Sequence, residues 1–251
     1  MPAWVAVAQR QKQCAESWWL ISQPDHAGLS GDIAANFISP EFPKITPQIA
    51  RCVGLHDAGW AMFEPERDPG APPMIGDDWK PRAFMEFGPA EFIPAWTGSI
   101  ERAEHECPAG GVMVSMHFAA LARFRQREQM DSDPDAQRVT DFLEREAARQ
   151  ERLKRAGGIS DAEAADLLKV LQFCDVLSLY LCSGATEDVE FPQRFGGSSV
   201  FLTRNEDVYT LEPSPFQDGK CDTRTVSLGV GARKYPSEEK VVIGTLAFLL
   251  R

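Results

Sequence analysis

The chain has 251 residues, 43% hydrophobic and 25% charged, enough apolar residues for one large domain or one domain with an appendage. Its formal net charge of -11 repels phosphate backbones and disfavours general nucleic-acid binding. No apolar run reaches transmembrane length, no leader pattern opens the chain, and its six cysteines form no Cys-x-x-Cys pair; the expectation is a cytoplasmic protein with reduced thiols and no membrane partner.

Ser17–Ser22, rich in Trp and Ile, predicts a short strand that ends at Pro24. Asp25 stands where a helix N-cap belongs, and the spacing of His26, Leu29, Ile33 and Phe37 predicts a helix over 26–38 with His26 on its apolar face. Taken alone, His26 reads as a core histidine bonded to a carbonyl. After Pro40 and Pro43, Thr46-Pro47 opens a second helix through Ile49, Ala50 and Val53 to about Asp57. His56 and Asp57 are adjacent, so on a helix they point roughly 100° apart and share a ligand only at its end or flank. Gly59 permits a sharp exit. Taken alone, Asp57 is a surface charge and His56 a capping histidine.

Residues 61–95 are rich in Pro, Gly and Asp and predict a long loop. Trp60, Phe63, Trp79, Phe84, Phe87, Phe92 and Trp96 either pin this loop to the core or pack it over a site as a lid. A helix follows over 94–106. Gly110-Gly111 breaks it, and the next helix, 112–129, carries His117 in an apolar context; His105 reads as solvated. The segment opened by Asp133-Pro134-Asp135 is acidic at its front and basic at its end, as the helix dipole favours, and Gly157-Gly158 closes it. Ser160 and Glu163 form a capping box for a nearly all-apolar helix that reaches about Cys182.

Asp175 lies in the middle of that apolar helix. A buried carboxylate requires a cation, a donor or a proton. Ser178, one turn on, is a modest partner and a metal ion a better one. Beyond Gly184 the texture changes, and strands are expected at 199–203, 208–211, 223–229 and 241–250, the last equally compatible with a helix. The run Gly229-Val230-Gly231 lacks the third glycine and following helix of a dinucleotide fingerprint.

Together His26, His56, Asp57 and Asp175 offer two nitrogens and two carboxylates. That set suits one divalent metal ion (Mn, Mg, Fe, Ni or Zn) with positions left open for water. Asp57 and His117 are the candidate catalytic groups, although His117 reads equally as a second-metal ligand, a phosphate contact or a core residue.

A lone His, a His-Asp pair ending a second helix, and a late lone Asp resemble the HD superfamily of metal-dependent phosphohydrolases. The texts around Asp25-His26-Ala27, His56-Asp57-Ala58-Gly59-Trp60, Ser115-Met116-His117-Phe118 and Cys174-Asp175-Val176-Leu177-Ser178 are similar to the HD-related DUF3891 family. The resemblance implies a mostly α protein, an HD-domain-like helical bundle over residues 1–184; the strands expected after it read as a small C-terminal antiparallel β appendage over 185–251. The resemblance also implies that the four ligands converge. The chain departs from common HD enzymes in having Trp60 where many carry a basic residue, and the aromatic loop in place of a compact helical hairpin. Three functions follow as expectations. The first is metal-dependent hydrolysis of a small, anionic phosphorylated compound, with Lys44, Arg51 or Arg82 steadying the phosphate. The second is a diiron oxygenase, and the third a non-catalytic ligand- or protein-binding domain. Metal identity and oligomeric state are not readable from these residues.

Overall fold

A computed structural model describes residues 4–9, 17–63, 83–128, 133–218, 224–235 and 243–251. Among them the chain is mostly helical. Six α-helices, α1 (Gln23–Ala35), α2 (Pro47–Gly54), α3 (Pro89–Glu106), α4 (Pro108–Glu128), α5 (Asp133–Gly157) and α6 (Asp161–Ser183), pack together, and α1 and α6 rest on one mixed sheet. Its strands are β1 (Trp4–Gln9), β2 (Ser17–Ser22), β3 (Val189–Phe195), β4 (Ser198–Asn205), β5 (Val208–Glu212), β6 (Val226–Tyr235) and β7 (Ile243–Leu250).

The sheet order is β1-β2-β6-β7-β5-β4-β3. Every neighbouring pair is antiparallel except β5 and β7. The expected small antiparallel appendage is therefore corrected in two ways. The sheet is mixed, and it is not only C-terminal, because β2 pairs with β6 through Trp18–Tyr235 and Leu20–Arg233. A division at 184/185 leaves both ends of the chain in one sheet. One hydrophobic core also runs from Leu29, Val53 and Phe173 of the helices to Phe191, Leu211 and Val230 of the strands.

Local chemistry sets the helix ends. Ser22 caps α1 by accepting from the Asp25 N–H at 3.0 Å. Asp25 lies in the first turn and is not the cap, because Pro24 is tolerated inside that turn and lets the helix start earlier. Thr46 caps α2 by accepting from the Ile49 N–H. Ser160 caps α6 by accepting from the Glu163 N–H, as expected.

α3 starts at Pro89 and carries Pro94 inside it, five residues earlier than the expected start. α4 runs straight through Gly110-Gly111. These glycines are packing residues, not breakers. A Cβ on Gly110 would lie 2.2 Å from Cys52 Sγ, and one on Gly111 would lie 2.8 Å from Leu153 Cδ1. The pair thus lets α4 seat closely against its neighbours. β1 and β3 have no counterpart among the expected strands, and β7 resolves the helix-or-strand ambiguity at the C-terminal end in favour of a strand. Of the long aromatic loop, residues 64–82, with Trp79 and Arg82, lie outside the described residues. No helix among the described residues is long and apolar enough to cross a membrane.

Candidate metal centre

The site forms where α1, the turn after α2, α4 and α6 meet. α1 and α2 approach closely enough that a Cβ on Gly31 would lie 2.8 Å from Gly54 Cα. This contact sets His26 beside the segment that follows α2. That helix ends at Gly54, so His56 and Asp57 sit in a turn, and the 100° separation of helical neighbours does not apply. A 3-10 turn, Ala58–Phe63, comes next. Gly59 fixes its position on α3: a Cβ there would fall 1.8 Å from the Ala95 carbonyl oxygen, and the Gly59 N–H donates to Ser99 Oγ at 2.9 Å. Gly59 is needed for close approach.

His26, His56 and His117 are essentially buried, and Asp57 and Asp175 are less than a tenth exposed. One donor atom each from His26, His56 and Asp175 can be chosen so that all lie within 4.8 Å of one another. His26 Nε2 is 3.1 Å from Asp57 Oδ2 and 3.7 Å from Asp175 Oδ1. His56 Nε2 is 3.4 Å from Asp175 Oδ1 and 3.7 Å from Asp57 Oδ2. His117 Nε2 approaches the other oxygen of Asp175 at 3.7 Å. The five residues expected from the sequence are thus brought together. Asp57, which alone reads as a surface charge, is buried.

The second atoms of these groups are held in place. His56 Nδ1 lies 2.8 Å from the Val53 carbonyl oxygen. A carbonyl only accepts, so the proton sits on Nδ1 and Nε2 points into the cluster. His56 Nε2 is buried with no hydrogen-bond partner. Capping the end of α2 and aiming a nitrogen at the site are therefore one arrangement. His26 Nδ1 lies 2.7 Å from Ser178 Oγ, which donates to the Asp175 backbone oxygen at 2.9 Å. Ser178 therefore orients His26 and does not partner the Asp175 carboxylate as expected. The Trp60 indole N–H donates to Asp57 Oδ1 at 3.1 Å, leaving Oδ2 toward the imidazoles. Trp60, which departs from the common HD pattern, is thus a hydrogen-bond donor to the site.

Charge is concentrated here in a buried setting. Burial opposes ionisation of Asp175, but the His56 imidazole 3.4 Å away and the charges of His56, His117 and His26 outweigh it and hold the carboxyl well below its usual range. Burial likewise pushes His56 down, but the Asp57 and Asp175 carboxylates and the Val53 carbonyl outweigh it and raise it to about 9. Burial dominates at His117, and despite the pull of Asp175 it falls to about 4. Two buried carboxylates facing imidazole nitrogens suit a cation, because unpaired buried charge is costly. Imidazole nitrogen with carboxylate oxygen fits a borderline or hard divalent ion, and His56 Nε2, once its proton is displaced, would supply a donor for it.

A cavity of about 260 Å³ opens onto His26, Asp57, His117 and Asp175. Its walls include Trp60, Phe84, Phe92 and Trp96 from the two ends of the aromatic segment. Trp60, Phe87, Phe92 and Trp96 are also buried in the core, so the same rings anchor the segment and line the site. A second cleft, about 520 Å³, reaches His117 and Asp175 from the β3 side, past Lys169, Gln172 and Arg194. Of the basic residues expected to steady a phosphate, Lys44 and Arg51 do not line either space. Lys44 lines a separate cleft with Cys107 and Ile159, Arg51 pairs with Glu106 at 3.3 Å, and Arg82 lies outside the described residues. Gln23 and Arg125 line the aromatic cavity instead, and the sequence reading missed both. Ser30, which donates to Ser178 Oγ at 2.8 Å, was also missed but had a legible signal, since it shares a helix face with His26 at i+4 spacing. Arg125 had none, because one arginine on a helix rich in arginine carries no distinguishing pattern.

No curated protein and no solved structure matches the chain. The family model described as protein of unknown function (DUF3891) matches residues 10–228. That match spans most of the sequence, and the chain accordingly belongs to the DUF3891 family.

Proposed function

We propose that this protein is a metal-dependent hydrolase of a small phosphorylated compound, built on an HD-like arrangement of helices. His26, His56, Asp57 and Asp175 would hold one divalent ion (Mn, Mg, Fe, Ni or Zn). The observation that carries the reading is the buried, unpartnered His56 Nε2, whose ring is locked by the Val53 carbonyl and faces two carboxylates. Such an ion, when bound, makes water nucleophilic near neutral pH and polarises a phosphoryl oxygen.

The remaining chemistry belongs to the chain. Ser178 and Val53 fix the two imidazole planes. Trp60 holds Asp57 so that one oxygen stays directed into the cluster. His117 is neutral around pH 7, since its pKa falls to about 4. Its buried Nδ1 has no hydrogen-bond partner and is left as an acceptor for a hydrogen bond. The aromatic walls exclude water from the reacting end. The free thiols Cys52, Cys107, Cys174 and Cys182 support a reducing compartment, the cytoplasm. A net charge of -11 supports a small substrate over a nucleic acid.

One observation favours a second reading, a diiron oxygenase. Asp175 has imidazoles near both of its oxygens, His26 and His56 on one side and His117 on the other. Elemental analysis of the purified protein separates these readings. About one equivalent of a divalent ion, lost in Asp57→Ala, supports the hydrolase and directs a phosphatase and phosphodiesterase screen. Two equivalents of iron favour the oxygenase. A metal-free protein that also ignores added Mn and Mg, or unchanged metal content in Asp57→Ala, would sink the site and leave a binding domain.

A further inference from the structure

The aromatic cavity contains two polar groups that the metal site does not use. Gln23, at the start of α1, is about 1% exposed, and its Nε2 is buried without a hydrogen-bond partner while its side chain lines the cavity. A buried amide donor left unpaired costs free energy in the empty protein, and an acceptor on a ligand recovers it. Arg125 comes from α4 at the same cavity. Its guanidinium carbon lies 5.2 Å from the centre of the Phe92 ring, and it has no carboxylate partner among the described residues. Burial alone acts on it, pulling its pKa below the usual arginine range. Its Nη2 donates to the weak acceptor Met85 Sδ at 3.9 Å, and a half-buried guanidinium over a ring with no carboxylate partner among the described residues is pre-organised for a planar or tetrahedral anion.

We infer that Gln23 and Arg125 are specificity-determining residues, and that the cavity takes a small anion (a carboxylate or a phosphate) carrying a single aromatic or compact apolar body. Trp60, Phe84, Phe92 and Trp96 contact that body, while the amide and the guanidinium bind its acceptor oxygens. At about 260 Å³ the space falls below the roughly 300–1,000 Å³ usual for drug-sized ligands, so a nucleotide is too large for it. The inference rests on the proposed metal site for which end of the substrate reacts. It rests on the cavity alone for which substrate enters.

Phenylphosphonate, which resists hydrolysis, is the probe. Its binding is read by isothermal titration calorimetry to the full chain, once with Mn2+ and once with chelator, against methylphosphonate and benzyl alcohol. Phenylphosphonate should bind saturably and more tightly than either half-probe. Arg125→Met and Gln23→Met, which keep side-chain length, should each weaken it about tenfold or more. No saturable binding of phenylphosphonate to the native chain overturns the inference, and so does equal affinity in Arg125→Met. Should a variant melt early, the native chain decides: benzyl alcohol binding as tightly as phenylphosphonate removes the anion from the recognition. Loss of binding in Arg125→Met with no metal in the protein leaves the cavity's selectivity standing without the hydrolase. Full metal occupancy with phenylphosphonate unbound does the reverse.

Discussion

Chelation should turn the stability of this protein into a falling function of pH between 6.5 and 9, and Mn2+ should flatten it. The perturbation acts on His56. Burial pushes its pKa down, but the Asp57 and Asp175 carboxylates and the Val53 carbonyl outweigh burial and raise it from 6.5 to about 9. A group raised in the folded state contributes stability that is fully present below its unfolded value and is lost as pH rises through the folded one. At about 1.4 kcal/mol per decade, the displacement from 6.5 to about 9 corresponds to about 3 kcal/mol in the chelated protein. A metal ion at His56 Nε2, as proposed, would replace that proton. Binding at pH 7 should therefore release about one proton, and affinity should rise about a hundredfold from pH 7 to pH 9 before levelling off. Urea unfolding at four pH values, with chelator and with Mn2+, reads the first effect. Calorimetric titration in buffers of different ionisation enthalpy reads the second. A chelated protein equally stable at pH 6.5 and 9.5 would refute the placement of a charged His56 between two carboxylates.

The acid limb has a different cause. Burial holds His117 down to about 4 despite Asp175, so the chelated protein should lose about 3 kcal/mol as pH falls from 6.5 to 4, and His117→Gln should shrink that loss in the same urea series. Gly59→Ala forces a methyl onto the Ala95 carbonyl oxygen and should cost about 1–3 kcal/mol along with the metal content, because the turn that carries Asp57 must move. Phe173→Ala empties a fully buried position ringed by Phe37, Phe42, Phe191 and Phe195 and should destabilise by about 3–5 kcal/mol without altering which metal binds. Arg149→Met removes the cation that pairs the fully buried Glu146 carboxylate at 3.2 Å and leaves it the Ser115 hydroxyl; a loss of about 3 kcal/mol is expected, and adding Glu146→Gln should restore part of it.

The core contacts account for the helices the sequence makes legible. Apolar spacing with a capping serine is a local signal, so α6 could be placed to within a residue of each end from Ser160 and the run to Cys182. Composition cannot separate a glycine that ends a helix from one that lets a helix pack, because the difference lies in the neighbour. Gly110 faces Cys52, a residue 58 positions earlier. The sheet shows the same limit. Its strands near 200 and 210 announce themselves by alternation, yet the pairing of β2 with β6 joins residues more than 200 positions apart, and periodicity is blind to register.

Asp175 was nameable from the sequence because a carboxylate in an apolar run must find a partner, and that requirement is local; His26, His56, Asp57 and His117 were nameable only from their order along the chain and the family resemblance. Which partners they find is tertiary. Ser178 turned out to serve His26 and not Asp175, Trp60 to brace Asp57, and Gln23 and Arg125 to share a cavity with them. The residue types and their order thus determined that buried charge had to be neutralised. Only the crossing of α1 over α2 at Gly31 and Gly54, and the seating of α4 and α6 beside them, decided where, because bringing those atoms within a few ångströms is a property of packed helices and not of any one of them.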